Sequence, residues 1–250
     1  MTTMAADVHR LFVAWQDPKS RRFHAVAQLD RTSTGDYRFV YLKNAETLEG
    51  FDPFVSFPNL HRTYISDRLF PLFENRLMSP RRPDYPQFVE DLGLPEDADP
   101  FDLLGRSGRR ATDSIEVFAE PHMNDDTGHL STWFFVRGIR HVLEDDAVLQ
   151  QLRNGDELQL VPDPDNVANG QALLVLEGTS HRIGYVPDYL VDTIHRLRDS
   201  GAAVRVMAER VNPPDTPWRA RVLCRLEADA PTGFRAFDDP QFLPVLDTSD

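Results

Sequence analysis

The sequence predicts an α+β protein of two domains, and three observations carry that expectation. Short β-rich runs alternate with turn-type clusters in both halves of the chain, helical apolar spacing is confined to brief stretches, and a turn-rich segment without apolar periodicity divides the chain near its middle. With 250 residues, 41% of them apolar and 10% aromatic, there is material for two ordinary cores, and wholesale disorder is excluded.

The first third reads as an antiparallel meander. The runs 10–15, 22–29 and 37–42 are rich in Val, Phe, Tyr and Trp, and the clusters 17–20 and 32–36 between them are turn formers. Asn44 to Leu48 reads as one helical turn, and an irregular aromatic stretch follows through Pro58. Ser66 is placed at the start of a helix, because Leu69, Phe70, Leu72, Phe73 and Leu77 recur at helical spacing. Tyr85, Phe88, Val89 and Leu92 repeat the pattern and stop at Gly93. Phe101, Leu103 and Leu104 make a third short helix after Asp99-Pro100, and 114–118 closes the block as a strand.

Residues 121–129 are the expected linker, so the first domain is 1–120. The second, 130–228, opens with the strand Trp133-Phe134-Phe135-Val136. It continues with a short helix around Ala147 to Leu152, strands at 158–161 and 172–176, a brief strand at 183–186, a helix capped by Asp188, and a hairpin of 204–209 with 219–226. Residues 229–250 read as an acidic, proline-bearing tail.

Forty Asp+Glu against 27 Lys+Arg give a net charge of −13, which argues against wrapping duplex DNA on a basic face. The excess is uneven: residues 129–228 hold 11 Arg against 14 acids, the least hostile stretch for a polyanion. No run of about 18 apolar residues is present, and Met1 to Asp7 lacks a basic and an apolar signal region, so a soluble cytoplasmic protein is expected.

Catalytic patterns find little to hold. No Gly-rich phosphate loop occurs, and the eight histidines never fall at i, i+4 beside a glutamate. The single cysteine, Cys224, lies in an apolar run and reads as a core residue. The acid runs Asp125-Asp126, Glu144-Asp145-Asp146 and Asp238-Asp239 read as solvated surface. Ser107 has no strand-to-elbow context for a nucleophile. The expectation is a non-enzymatic protein with no metal and no cofactor.

The segments Val136-Arg137-Gly138-Ile139-Arg140-His141, Gly155 to Asn166, Ala172 to Val175 and Ile183-Gly184-Tyr185-Val186-Pro187 resemble, in order and spacing, the HIRAN domain over about 95 residues. The resemblance implies a six-stranded, OB-like barrel whose loops grip single-stranded DNA at a free 3′ end. Carried over residue by residue, it places Arg140 at the family's arginine and His141 where an aromatic is frequent. Asp165 and Asn166 take its paired polar positions, and Asn169 stands where aspartate is usual, with Ala168 in place of the preceding tyrosine. Gly184 and Pro187 are expected to be structural.

Residues 9–120 resemble the N-terminal subdomain of HipA-type toxin kinases, through 37–41, 72–77, 88–93 and, most clearly, 102–117. That resemblance implies a partner-docking domain, with the kinase lobes absent from this chain. Two functions follow as expectations. One is a protein that binds the 3′ end of single-stranded DNA and docks a partner through its N-terminal domain. The other is an antitoxin-like or regulatory partner of a separately encoded HipA-type kinase.

Overall fold

A computed structural model describes residues 10–107, 114–143 and 146–246. It has two compact units: one of residues up to 86, 95–120 and from 237 onward, the other of residues 87–94 and 121–236. Both are mixed α/β and mostly antiparallel.

In the first unit, β1 (Arg10–Gln16), β2 (Phe23–Arg31) and β3 (Tyr37–Tyr41) form the expected meander, followed by α1 (Asn44–Thr47) and β4 (Tyr64–Ser66). The helix expected from Ser66 is not formed there. Ser66 ends a strand paired with β3, and only Pro71–Glu74 is helical (α2). The reason is Pro71. The residue before a proline is driven out of the helical region, and Phe70 is extended (φ −60°, ψ 142°), so the helix starts at Pro71 itself.

The α3 helix (Tyr85–Asp91) ends at Leu92 and Gly93, and α4 (Pro100–Ser107) buries Phe101, Leu103 and Leu104, as the spacing predicts. Then β5 (Ile115–Ala119) returns to pair with β1, giving the order β4-β3-β2-β1-β5. Gly108 to Asp113, part of the segment on which the expected kinase-subdomain resemblance rests most clearly, lie outside the described residues.

One face of this sheet carries an aromatic core, in which Phe39 stacks on Phe57 with centroids 3.8 Å apart. On Phe12 and Phe118 lies the C-terminal segment. Phe237 meets Phe12 edge-on at 5.1 Å, Phe242 meets it at 5.3 Å, and Val245 donates its N–H to the Tyr41 carbonyl.

The second unit has one seven-stranded antiparallel sheet: β6 (His122–Met123), β7 (His129–Phe135), β8 (Glu157–Pro162), β9 (Leu173–Glu177), β10 (His181–Tyr185), β11 (Val204–Val211) and β12 (Val222–Asp229), in the order β10-β9-β8-β11-β12-β7-β6. The helices α5 (Ile139–Val142), α6 (Ala147–Gln151) and α7 (Asp188–Asp199) lie between its strands in sequence, and residues 87–91 of α3 also belong to this unit. The stretch 121–129, expected as a linker, carries β6 and its turn into β7; Asn124 Oδ1 accepts the N–H groups of Asp126 and Thr127.

Six of these strands, β7 to β12, fall in the expected second domain and β6 adds a seventh from the stretch before it; among the described residues no ladder pairing closes the sheet into a barrel. Its two sides are joined by a single bridge, Arg137 with Tyr185, each backbone N–H donating to the other's carbonyl at 2.8 Å. Gly184 permits that approach. A Cβ there would strike the Arg137 carbonyl and, at 2.7 Å, Val136 Cγ1.

Cys224 is fully buried in β12, and burial pushes its thiol well above the ordinary range, as a core cysteine requires. No described helix is long and apolar enough to cross a membrane.

Candidate nucleic-acid interface

The candidate interface starts where the chain leaves β7. Gly138 takes a left-handed conformation (φ 69°), which costs a glycine little, and turns the chain into the one-turn helix α5. Ile139 is buried beneath α5, so Arg140 and His141 on the same turn face solvent. Neither side chain has a partner among the described residues.

The second segment is the loop from Asp163 to Ala172. It closes on itself through backbone bonds: the Asp163 N–H to the Ala172 carbonyl, Asn166 N–H to the Asp163 carbonyl, and Ala172 N–H to the Asn169 carbonyl. Two asparagines hold the curve. Asn166 Oδ1 accepts the N–H groups of Ala168 and Asn169 at 3.0 and 3.1 Å. Asn169 Oδ1 accepts from Gln171 N–H, and its Nδ2 donates to Asp188 Oδ1 at the start of α7. Asn166 and Asn169 therefore spend most of their hydrogen-bonding capacity on loop shape. Asp165 is exposed with its carboxylate unpaired among the described residues, and Val167 at the tip is wholly exposed.

Tyr185 connects the two segments. Its backbone makes the bridge to Arg137, its ring packs near Gly138, and its phenol donates to Asp163 Oδ2 at 2.7 Å. Desolvation first, and then that bond to Asp163, raise the phenol above its ordinary pKa; Asn166, within hydrogen-bonding reach, acts in the opposite direction.

A third piece comes from the loop between β11 and β12. Its 3₁₀ turn, Trp218–Ala220, lies beside α5, with the Trp218 side chain 36% exposed. The loop resemblance leaves Ala168 where a tyrosine is frequent, yet a partly exposed indole sits on the turn next to the one that carries Arg140 and His141. Neither Tyr185 nor Trp218 is singled out by the sequence. A tryptophan directly after the proline-rich hairpin turn, outside any apolar period, is the signal that could have found it.

The unit thus combines an antiparallel β module with an arginine, an imidazole, an indole and a carboxylate open to solvent at the ends of its strands. Among the described residues no group of three or more His, Cys, Asp and Glu side chains could hold a metal ion. Residues 130–230 match the family model of the HIRAN domain. Similar solved structures include the HIRAN domain of human HLTF, at 16% identity over 39% of this chain and 72% of that one, with a TM-score of 0.30. Another is a protein from Lactobacillus plantarum, at 19% identity over 40% of this chain and 96% of that one, with a TM-score of 0.33. No curated protein matches the chain.

Proposed function

We propose that the second unit binds single-stranded DNA at a free 3′ end, as a recognition module that performs no chemistry on the strand. The observation that carries this reading is that the turn bearing the solvent-facing Arg140 and His141 lies next to the 3₁₀ turn bearing the partly exposed Trp218, within the stretch that matches the HIRAN domain. An arginine fork suits a phosphate, and flat rings suit unpaired bases, which expose both faces only in a single strand. Asp165 supplies the free carboxylate that accepts a hydrogen bond from a terminal hydroxyl. Asn166 and Asn169 shape the loop that presents it. The OB-like reading of the sheet draws support from the Arg137–Tyr185 bridge, which joins the ends of β7 and β10. The partner-docking role of the first unit rests on its sequence resemblance.

The test is binding of labelled single strands that end in a 3′-hydroxyl, a 3′-phosphate or a blocked sugar, measured by fluorescence anisotropy. Preference for the free hydroxyl, lost in Asp165→Ala, supports the reading. Equal affinity for all three ends removes the end-specific part of it. No binding of any strand turns the assignment toward a protein-interface role, with a separately encoded HipA-type kinase as the partner to assay.

A further inference from the structure

We propose that the cleft between the end of α6 and the β11–β12 hairpin is a phosphate-binding pocket, built on the buried Arg221 guanidinium and the exposed Arg153, for a phosphate ester of nucleotide size. The cleft has a volume of about 420 Å³ and lies wholly within the second unit. Its walls include Gln150, Arg153, Asn154, Asn212 and Arg221, and no Asp or Glu. In a chain of net charge −13, a cleft with two guanidinium groups and no carboxylate in its lining selects for anions.

Arg221 is the unusual member. It is only 3% exposed, yet no carboxylate of the described residues pairs with it. Its Nη1 donates to the Pro214 carbonyl at 3.1 Å, its guanidinium lies 5.2 Å from the centre of the Trp218 ring, and its buried Nε has no acceptor. Arg225, four residues on in β12, is handled differently, with Glu209 and Glu227 at 3.2 and 3.1 Å. A buried cation held only by a carbonyl and a ring face has lost hydration without gaining a counter-charge. An anion entering the cleft supplies both the charge and the missing acceptor.

The neighbours are arranged to help. Asn154 Oδ1 is taken by the Val211 N–H at 2.9 Å, which leaves its amide N–H groups for a ligand oxygen. Asn212 is fully spent: its Nδ2 donates to the carbonyls of Asp91 and Ala220, and its Oδ1 accepts from Arg210, so it braces the rim. Two arginines match a dianion better than a carboxylate, since each presents several donors to a tetrahedral oxyanion. The volume lies within the range of small-molecule sites and exceeds what a bare phosphate fills, hence an ester of nucleotide size. The phosphate comes either from a free nucleotide or from a nucleic-acid strand.

The experiment is an amide-resolved NMR titration of the whole protein with inorganic phosphate, deoxyadenosine 5′-monophosphate and a short oligothymidylate, with acetate as the monoanion control. The expected result is a shift of the Gln150 and Asn154 side-chain amides and of Val211 with the phosphates and not with acetate. Arg153→Glu, at an exposed position that leaves folding intact, weakens the effect about tenfold or more, the loss of a charge-assisted bond. Arg221→Gln does the same if it folds. Response to the mononucleotide identifies a free nucleotide as the source; response to the oligonucleotide alone identifies a strand phosphate. A response at Gln150, Asn154 and Val211 without one at the α5 amides of Arg140 and His141 separates this site from the strand-end reading; a response confined to α5 belongs to the strand-end site and overturns the pocket. No shift of the Gln150, Asn154 and Val211 amides with any phosphate, or an undiminished shift in Arg153→Glu, overturns the proposal.

Discussion

Arg140 has no partner in the described fold, so its removal tests recognition without disturbing folding. Arg140→Ala is expected to weaken single-strand binding by about 1.5–3 kcal/mol, the range for a bond to a charged group, while stability changes by about 0.5 kcal/mol or less. Anisotropy and thermal melts measure the two effects separately. Trp218→Ala is expected to cost about 1–3 kcal/mol of binding if a base stacks there, and His141→Tyr to gain about 1 kcal/mol from a larger ring face. At this scale the sequence is informative about exposure and poor about wiring. That Arg140 is exposed is expected of an arginine just after a strand end; the turn of α5, anchored by the buried Ile139, is what the structure adds. That Asn166 and Asn169 are spent on the loop does not follow, because their bonds exist only once residues 163–172 have closed. Trp218 escapes notice for a related reason: its neighbour in space is α5, far away in sequence.

Elements are legible wherever a single period dominates. The meander, the three short helices after it, and the 188–199 helix follow from alternation and helical spacing; the cap expected at Asp188 does not form, because Pro187 takes the cap position and the Asp188 carboxylate accepts from Asn169 instead. The departures have local causes. Pro71 overrides the apolar spacing that places a helix start at Ser66, since Phe70 cannot be helical before it. How the sheet's ends meet is a matter of strand ends rather than strand content, and strand ends are where a sequence says least. Tyr185 and Arg137 meet through one pair of backbone bonds, and the meeting depends on a residue without a side chain at 184. Gly184→Ala is therefore expected to destabilise the second unit by about 1–3 kcal/mol through overpacking against backbone. It should also weaken strand binding, because the bridge holds Gly138, and with it α5, beside Tyr185. Urea unfolding followed through the tryptophans, together with anisotropy on the same variant, measures both. A variant as stable as the parent would show that the bridge contributes nothing to the fold.

For the molecule as a whole, charge and chain path make separate predictions. A net charge of −13 leaves no broad basic groove, so binding should rest on two or three phosphates. At roughly 0.7 per phosphate for a single strand, log K should fall by about 2 or less per decade of salt; a slope several-fold steeper would mean an extended basic track. The chain path bears on which pieces can stand alone. A boundary near residue 120 is visible in the sequence as a loss of apolar period, but each compact unit also takes a segment from beyond it. Residues 87–94 belong with the second unit, where the Asp91 carbonyl accepts from Asn212 and Glu90 pairs with Arg210. The first unit takes the C-terminal segment, whose Phe237 is 6% exposed against Phe12 and Phe118. Without that segment, Phe12 and Phe118 face water. At about 1.5–3 kcal/mol for each large apolar side chain buried, losing the cover of Phe237 and Phe242 should cost the first unit about 3 kcal/mol or more. A fragment of residues 10–120 should accordingly melt well below the same fragment with residues 237–246 joined to it by a flexible linker. It should also bind a hydrophobic dye that the longer version does not. Equal melting of the two would mean that the C-terminal segment adds nothing to the core it lies on, and that the first 120 residues form a complete folding unit.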